Sequence, residues 1–385
     1  MQLSPLLLSL LSIALPATKA APVGKYDSVL KFPTELHNNP DLVQLLRKRG
    51  DSIITADTDI HQVLLTFPVS VGGENLNAVV DTGSRSTWLY NAFTDKSSSL
   101  CQSNSCLTSS KDIDVSNDDY AIYYRGNFAA SGKWATAPLS VQGSPDVSFK
   151  FGLADSIQGT SGGFSWAGFG YDSEGSDVDN PTHIVDALKM GGAISKRVFE
   201  VIYDGVTDWN SDIMGHGSLT LGGFDASKGY KFYDMVSDMQ YNLAMPMKSM
   251  SNSNGLSADL DSTKAVVFDT GSTNLLMKTE YKDQILKDIQ FDSDYPGFFS
   301  CSKYKDYKLE FQVDDNTSIS FPLTSLSWNS YADSYDLCQL MIADLADDAA
   351  FEIVFGQYAL KNMNVVFDID SRTIGLSSSI DGILS

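Results

Sequence analysis

The tetrapeptide Asp-Thr-Gly-Ser occurs twice, as Asp81-Thr82-Gly83-Ser84 and as Asp269-Thr270-Gly271-Ser272. Each copy follows a short apolar run, Ala78-Val79-Val80 before the first and Ala265-Val266-Val267-Phe268 before the second. An apolar run closed by Asp-Thr-Gly reads as a buried strand ending in a sharp turn. The glycine permits the tight backbone, and the Thr and Ser hydroxyls can hydrogen-bond a carboxylate or nearby backbone. Each copy therefore presents one carboxylate on a rigid loop at a strand end, and two copies suggest two carboxylates facing each other.

A second pair of motifs repeats at the same interval. Trp166-Ala167-Gly168-Phe169-Gly170-Tyr171 has a counterpart in Val354-Phe355-Gly356. Gly168 to Gly356 is 188 positions, and so is Asp81 to Asp269. A shared offset for two unrelated motifs points to internal duplication, with one Asp loop and one apolar-Gly strand in each of two similar lobes. At 385 residues the chain is long enough for two cores. With 29 glycines and little extended helical periodicity it is expected to be all-β and bilobal, with short helices near Thr182–Met190 and Tyr281–Ile289. Leu64–Val71, Asn77–Val80 and Thr87–Tyr90 read as strands, with Gly72-Gly73 as a turn, and Tyr120–Thr136 reads as a hairpin. The polar stretch Met250–Asp261 reads as a loop.

The formal charge of −21 argues against nucleic acid and anionic membranes as partners. No cofactor is called for, and no Cys or His spacing suggests a catalytic metal. The four cysteines, Cys101, Cys106, Cys301 and Cys338, permit three connectivities; proximity suggests 101–106 and 301–338. Residues 1–20 read as a secretory signal peptide, with an apolar segment from Leu6 to Leu15 and small residues around Thr18-Lys19-Ala20. Residues 21–49 read as a propeptide ending in the basic run Arg47-Lys48-Arg49, which suits processing before Gly50. Its removal leaves a formal charge of −24, so the basic propeptide is a candidate partner for the acidic remainder. The lobes are expected at 50–235 and 236–385. Secretion, an extracellular location and disulfides go together. No transmembrane anchor is expected, and Asn316-Thr317-Ser318 is a glycosylation sequon.

Two adjacent carboxylates cannot both ionise easily, so the pair holds one proton and supplies a base and an acid together. Such a pair can activate water and polarise a peptide carbonyl without metal or covalent intermediate. At these residues the chain resembles the pepsin-like aspartic proteases, particularly secreted fungal ones. The resemblance runs from about Val63 to Leu376. It takes in both Asp-Thr-Gly-Ser copies, Trp88, Gly217–Asp225, and the closing Phe355-Gly356-Gln357, Val365-Val366-Phe367-Asp368 and Ile374-Gly375-Leu376. It implies an acid endopeptidase made as a zymogen, acting on peptides or proteins with bulky apolar residues around the cut. It implies catalytic roles for Asp81 and Asp269, support from Ser84, Ser272, Gly83 and Gly271, and one disulfide per lobe. It also implies a flap carrying Tyr124, with Tyr123 as the register alternative, paired with the indole of Trp88. Both copies in one chain imply a monomer. Three positions depart from the family pattern: Arg125 and Asn127 replace glycines of the flap, and Gln357 stands where Asp is common. A catalytically silent binding protein of the same fold and a narrowly specific processing protease are the competing readings.

Overall fold

The computed structural model describes residues 53–61, 64–93, 105–124, 128–158, 163–170, 182–206, 213–236, 243–260, 265–331, 335–346, 349–378 and 383–384. The expected signal peptide and propeptide, Cys101, Arg125 and Asn127 lie outside them. Among the described residues no helix is long and apolar enough to cross a membrane.

Strands dominate, as expected for an all-β chain, and helices are short: Ile184–Met190, Thr279–Leu286 and Gln357–Leu360 among the described residues. The strand Leu64–Val71 has the expected bounds. It turns through Gly72-Gly73, at φ 59° and 79°, into the antiparallel strand Glu74–Asp81. Two consecutive positive φ values match the right-handed twist of a tight hairpin, which is why two glycines stand there. The strand Asp114–Tyr123 pairs with Ala129–Ser140 as a long hairpin, extending the predicted one at both ends.

The duplication is visible in the sheets. Glu74–Asp81 runs parallel to Ser165–Gly168, placing Asp81 opposite Gly168. Ala265–Phe268 runs parallel to Ile353–Phe355, with Phe268 opposite Phe355. The halves are nevertheless interleaved. Met363–Asp368, near the C-terminus, pairs with Val198–Val206 from the first half, and Thr373–Ser378 pairs with Lys231–Asp234. Phe199 and Phe367 pack at 4.7 Å between ring centroids across this shared sheet. One apolar core thus continues from Phe67 and Phe169 through Phe199 and Phe367 to Phe268 and Phe355.

Two expectations change. Met250–Asp261 is not a plain loop: Ser249–Asn252 and Ser257–Asp259 pair as a hairpin. The Asn252 side chain accepts from the backbone of Asn254 and Leu256 (3.0 and 3.1 Å), and Gly255 takes φ 81°, so a polar stretch closes on itself. The helix expected at Tyr281–Ile289 is Thr279–Leu286. It stops early because Asp288 accepts from the Tyr307 hydroxyl at 2.7 Å and Ile289 turns into the core. Cys301 and Cys338 form the second-lobe disulfide expected from proximity. Cys106 is also disulfide-bonded, but its expected pairing with Cys101 falls outside the described residues.

Candidate active site

Each Asp-Thr-Gly-Ser loop is locked to the other by its threonine. Thr82 N donates to Thr270 Oγ1 at 3.1 Å, and Thr270 N donates to Thr82 Oγ1 at 2.9 Å. The hydroxyls continue across the lobes: Thr82 Oγ1 donates to the Phe268 carbonyl (2.7 Å) and Thr270 Oγ1 to the Val80 carbonyl (2.5 Å). These four buried bonds join residues about half a chain apart and satisfy the backbone N–H and the hydroxyl of both threonines. The two loops can therefore be held in register only together.

The glycines explain how closely the loops approach. A Cβ on Gly83 would lie 2.4 Å from the Asp269 carboxyl, and one on Gly271 would lie 2.3 Å from Asp81 Oδ1. Gly168 and Gly356 serve from behind. A Cβ on Gly168 would meet the backbone of Ser84–Ser86, and one on Gly356 the backbone of Ser272 and Asn274. Phe169 N donates to the Asp81 carbonyl at 2.7 Å, and Asp269 N donates to the Phe355 carbonyl at 2.9 Å, so each apolar-Gly strand braces its own Asp loop.

Both carboxyl groups are buried, with Asp81 1% and Asp269 0% exposed. Asp81 accepts from Gly83 N at 3.0 Å, and its Oδ2 has no hydrogen-bond partner. Asp269 accepts from Gly271 N at 2.9 Å and from the Ser272 hydroxyl at 2.7 Å. The matching Ser84 hydroxyl instead donates to the Ser86 carbonyl at 3.2 Å. Burial pushes the Asp81 carboxyl well above the ordinary carboxylate range, and the neighbouring Asp269 charge pushes it further. Burial also raises Asp269, but its hydroxyl and backbone donors stabilise the charged form and hold it lower. Both carboxyls are thus raised by burial, and Asp81 is raised further by the Asp269 charge. A coupled pair of this kind holds a shared proton, and a shared proton can supply an acid and a base together.

Above the pair, Trp88 Nε1 donates to the Tyr124 hydroxyl at 2.9 Å, bringing together the two aromatics expected of a flap. Burial, with the Asp81 charge next, raises the Tyr124 phenol and keeps it neutral. Tyr123, the register alternative, points outward and is 55% exposed. Asn316 lies exposed at the turn between Lys308–Asp314 and Thr317–Pro322.

Two residues near the pair, Thr87 and Trp166, were given no role from the sequence. Thr87 Oγ1 accepts from Gly168 N at 3.1 Å, and Trp166 packs against Tyr124 and Phe128 at 5.8 Å between centroids. Trp166 stands two positions before Gly168 on the same strand, so strand alternation alone puts it on the face that carries the pair.

The comparisons agree with this geometry. The family model described as eukaryotic aspartyl protease matches residues 66–379. The chain is 22% identical to secreted aspartic protease 5 of Candida albicans, over 86% of this chain and 79% of that protein. It is 23% identical to an acid protease of Saccharomycopsis fibuligera, over 96% and 98%. In fold it is similar to the crystal structure of the aspartic proteinase from Irpex lacteus, with a TM-score of 0.68 at 20% identity, covering 85% of this chain and 97% of that one. With the family match spanning both Asp loops, the flap hairpin and the closing strands, this chain belongs to the eukaryotic aspartyl protease family and is an aspartic-type endopeptidase.

Proposed function

We propose that the protein is a secreted acid endopeptidase, made as a zymogen, in which Asp81 and Asp269 are the catalytic residues. Asp269, ionised beside Ser272, takes a proton from a water held between the carboxyls. Asp81, protonated, donates a hydrogen bond to the scissile carbonyl. Attack at the carbon gives a tetrahedral diol, and proton transfer to the amide nitrogen releases the amine. The asymmetric donor sets of the two carboxyls carry this reading, because the donors on Asp269 favour its charged form while Asp81 Oδ2 has none.

The substrate is a peptide or protein segment bound extended between the lobes, with main-chain hydrogen bonds supplying affinity and apolar residues around the cut supplying preference. The aromatic lining beneath the flap supports that apolar preference. Secretion, the propeptide as an inhibitory partner, a monomeric state and a glycan on Asn316 complete the proposal. The printed names of the Candida and Saccharomycopsis relatives, secreted and acid, support the location and the pH.

The test is hydrolysis of a denatured protein from acid to neutral pH. Activity confined to acid and abolished by pepstatin is expected. Asp269→Asn, with normal folding, should lower kcat by about 10²–10⁴-fold, the range for losing a positioned acid–base group. Undiminished cleavage by that variant refutes the assignment, and a folded wild type that cleaves nothing favours a silent binding protein.

A further inference from the structure

The long hairpin of Asp114–Tyr123 and Ala129–Ser140 carries the flap at one end, where Tyr123 lies opposite Ala129. At its other end, where Asp114 lies opposite Thr136, it borders an open groove of about 580 Å³ that the mechanism does not use. Apolar Ile113, Pro138 and Val147 line it together with the exposed carboxylates of Asp112, Asp114 and Asp146. Asp112 pairs with its neighbour Lys111 at 3.5 Å, and Lys150, opposite Thr136, holds its ammonium over the Trp134 ring at 5.0 Å. Among the described residues Asp114 and Asp146 have no ion-pair partner. The groove thus joins an apolar surface to negative charge that the described residues leave unbalanced.

The topology brings the start of the described chain to the same end of the sheet. The strand Ile54–His61 runs antiparallel to Leu64–Val71, with Asp59 opposite Thr66, so its Ile54 end points toward Val71. Val71 in turn lies opposite Leu139, and Gly72 N donates to the Pro138 carbonyl at 2.8 Å. A Cβ on Gly72 would stand 3.0 Å from both Ile113 Cγ1 and the Lys111 carbonyl, so the Gly72-Gly73 turn forms the edge of the groove. Ile54 is therefore two strands away from Pro138, on the order of 10 Å at sheet spacing. The six steps from Ile53 back to Arg47 span up to about 20 Å. The sequence that reaches this far is Leu45-Leu46-Arg47-Lys48-Arg49, two leucines followed by three cations. Its order of apolar and basic residues complements the lining of the groove.

We propose that the groove is the docking site of the chain's own segment Leu45–Arg49, with the leucines on Ile113, Pro138 and Val147 and the basic run against Asp112, Asp114 and Asp146. Docking withholds the basic run from the protease that cuts before Gly50, and it seats this end of the propeptide outside the cleft. The inference rests on the zymogen reading above and adds to it a surface that controls access to the processing site.

The test uses the full chain carrying Asp81→Asn, so that self-cleavage does not enter. A carbodiimide that joins an amine to a carboxylate in contact, with loss of water, should link Lys48 to Asp112, Asp114 or Asp146, as read by mass spectrometry. Brief trypsin treatment should produce new N-termini after Arg47, Lys48 or Arg49 about tenfold faster when Asp112→Asn, Asp114→Asn and Asp146→Asn are combined, the scale of several modest exposed ion pairs lost together. The same number of exposed charges removed from the second half, by Asp259→Asn, Asp294→Asn and Asp306→Asn, should leave the rate unchanged. In 1 M salt, where the screening length falls to about 3 Å, the difference between groove variant and parent should vanish. Links from Lys48 only to acids outside the groove, or a groove variant cut at the parent rate, overturn the inference and leave the zymogen reading intact. That reading falls separately if the unprocessed wild-type chain is fully active in acid.

Discussion

Gln357 braces the second Asp loop with both its side chain and its backbone. It is buried, its Nε2 donates to the Thr270 carbonyl inside the second Asp loop, and its backbone N donates to the Ser272 carbonyl at 2.7 Å. An amide donates at every pH. A carboxyl at the same place donates only while protonated, and once ionised it would set a negative charge against a carbonyl oxygen. Gln357→Glu should therefore act near the wild-type level in strong acid and lose activity as pH rises. Its high-pH limb of kcat/KM should move to lower pH, with a loss of about tenfold or more where the carboxyl ionises, from the cost of roughly 1–3 kcal/mol for an unsatisfied buried group. An unchanged profile would show that the amide brace does not matter. The departure at Gln357 was legible in the sequence. Its hydrogen bond to Thr270 was not, because residues 87 positions apart meet only after both lobes close.

Among the elements, local grammar succeeded where a pattern is self-contained. Leu64–Val71 and its two-glycine turn follow from alternation and positive φ alone. It failed where a distant partner decides. The helix Thr279–Leu286 ends where Asp288 meets Tyr307, and the polar Ser249–Asn252 segment becomes a strand because Met250 lies opposite Phe311. The three-stranded sheet of Phe298–Ser300, Leu337–Leu340 and Ser327–Tyr331 carries the Cys301–Cys338 disulfide, which closes a separation of 37 residues. Such a loop confines the unfolded chain and contributes about 2–4 kcal/mol in the chain-entropy picture. The sheet is hydrogen-bonded separately from those that carry the Asp loops. Replacing both cysteines by alanine should lower the melting temperature by several degrees while kcat/KM in the cold stays within about twofold. A large loss of activity at full folding would instead couple this sheet to the pair.

At the scale of the whole molecule, the offset of 188 made the two-lobed plan legible, yet the sheet that joins the lobes was not. Val198–Val206 and Met363–Asp368 pair there, and no local signal in the sequence says so. The same packing buries groups that titrate, so fold and pH response are linked. Asp81 and Asp269 have raised pKa values, chiefly from burial. Their contribution to stability is present below the ordinary carboxyl value of about 3.9 and is lost as pH rises through the folded values. His183 works in the opposite direction. It precedes the helix Ile184–Met190, packs edge-on against Phe169 at 6.0 Å, and both ring nitrogens lack hydrogen-bond partners. Burial holds its imidazole down at about 4. Its contribution is present above the unfolded value of about 6.5 and is lost as pH falls toward the folded one. The described residues thus include an acid-favouring pair and an acid-sensitive histidine beneath the first Asp loop, where Phe169 N bonds the Asp81 carbonyl. His183→Leu removes only the second contribution. Measured by denaturant unfolding, its stability relative to wild type should be about 2–3 kcal/mol more favourable near pH 4 than near neutral pH. Comparing the two pH values cancels any change in packing. An equal difference at both would mean that His183 has the same proton affinity in the folded and unfolded chains.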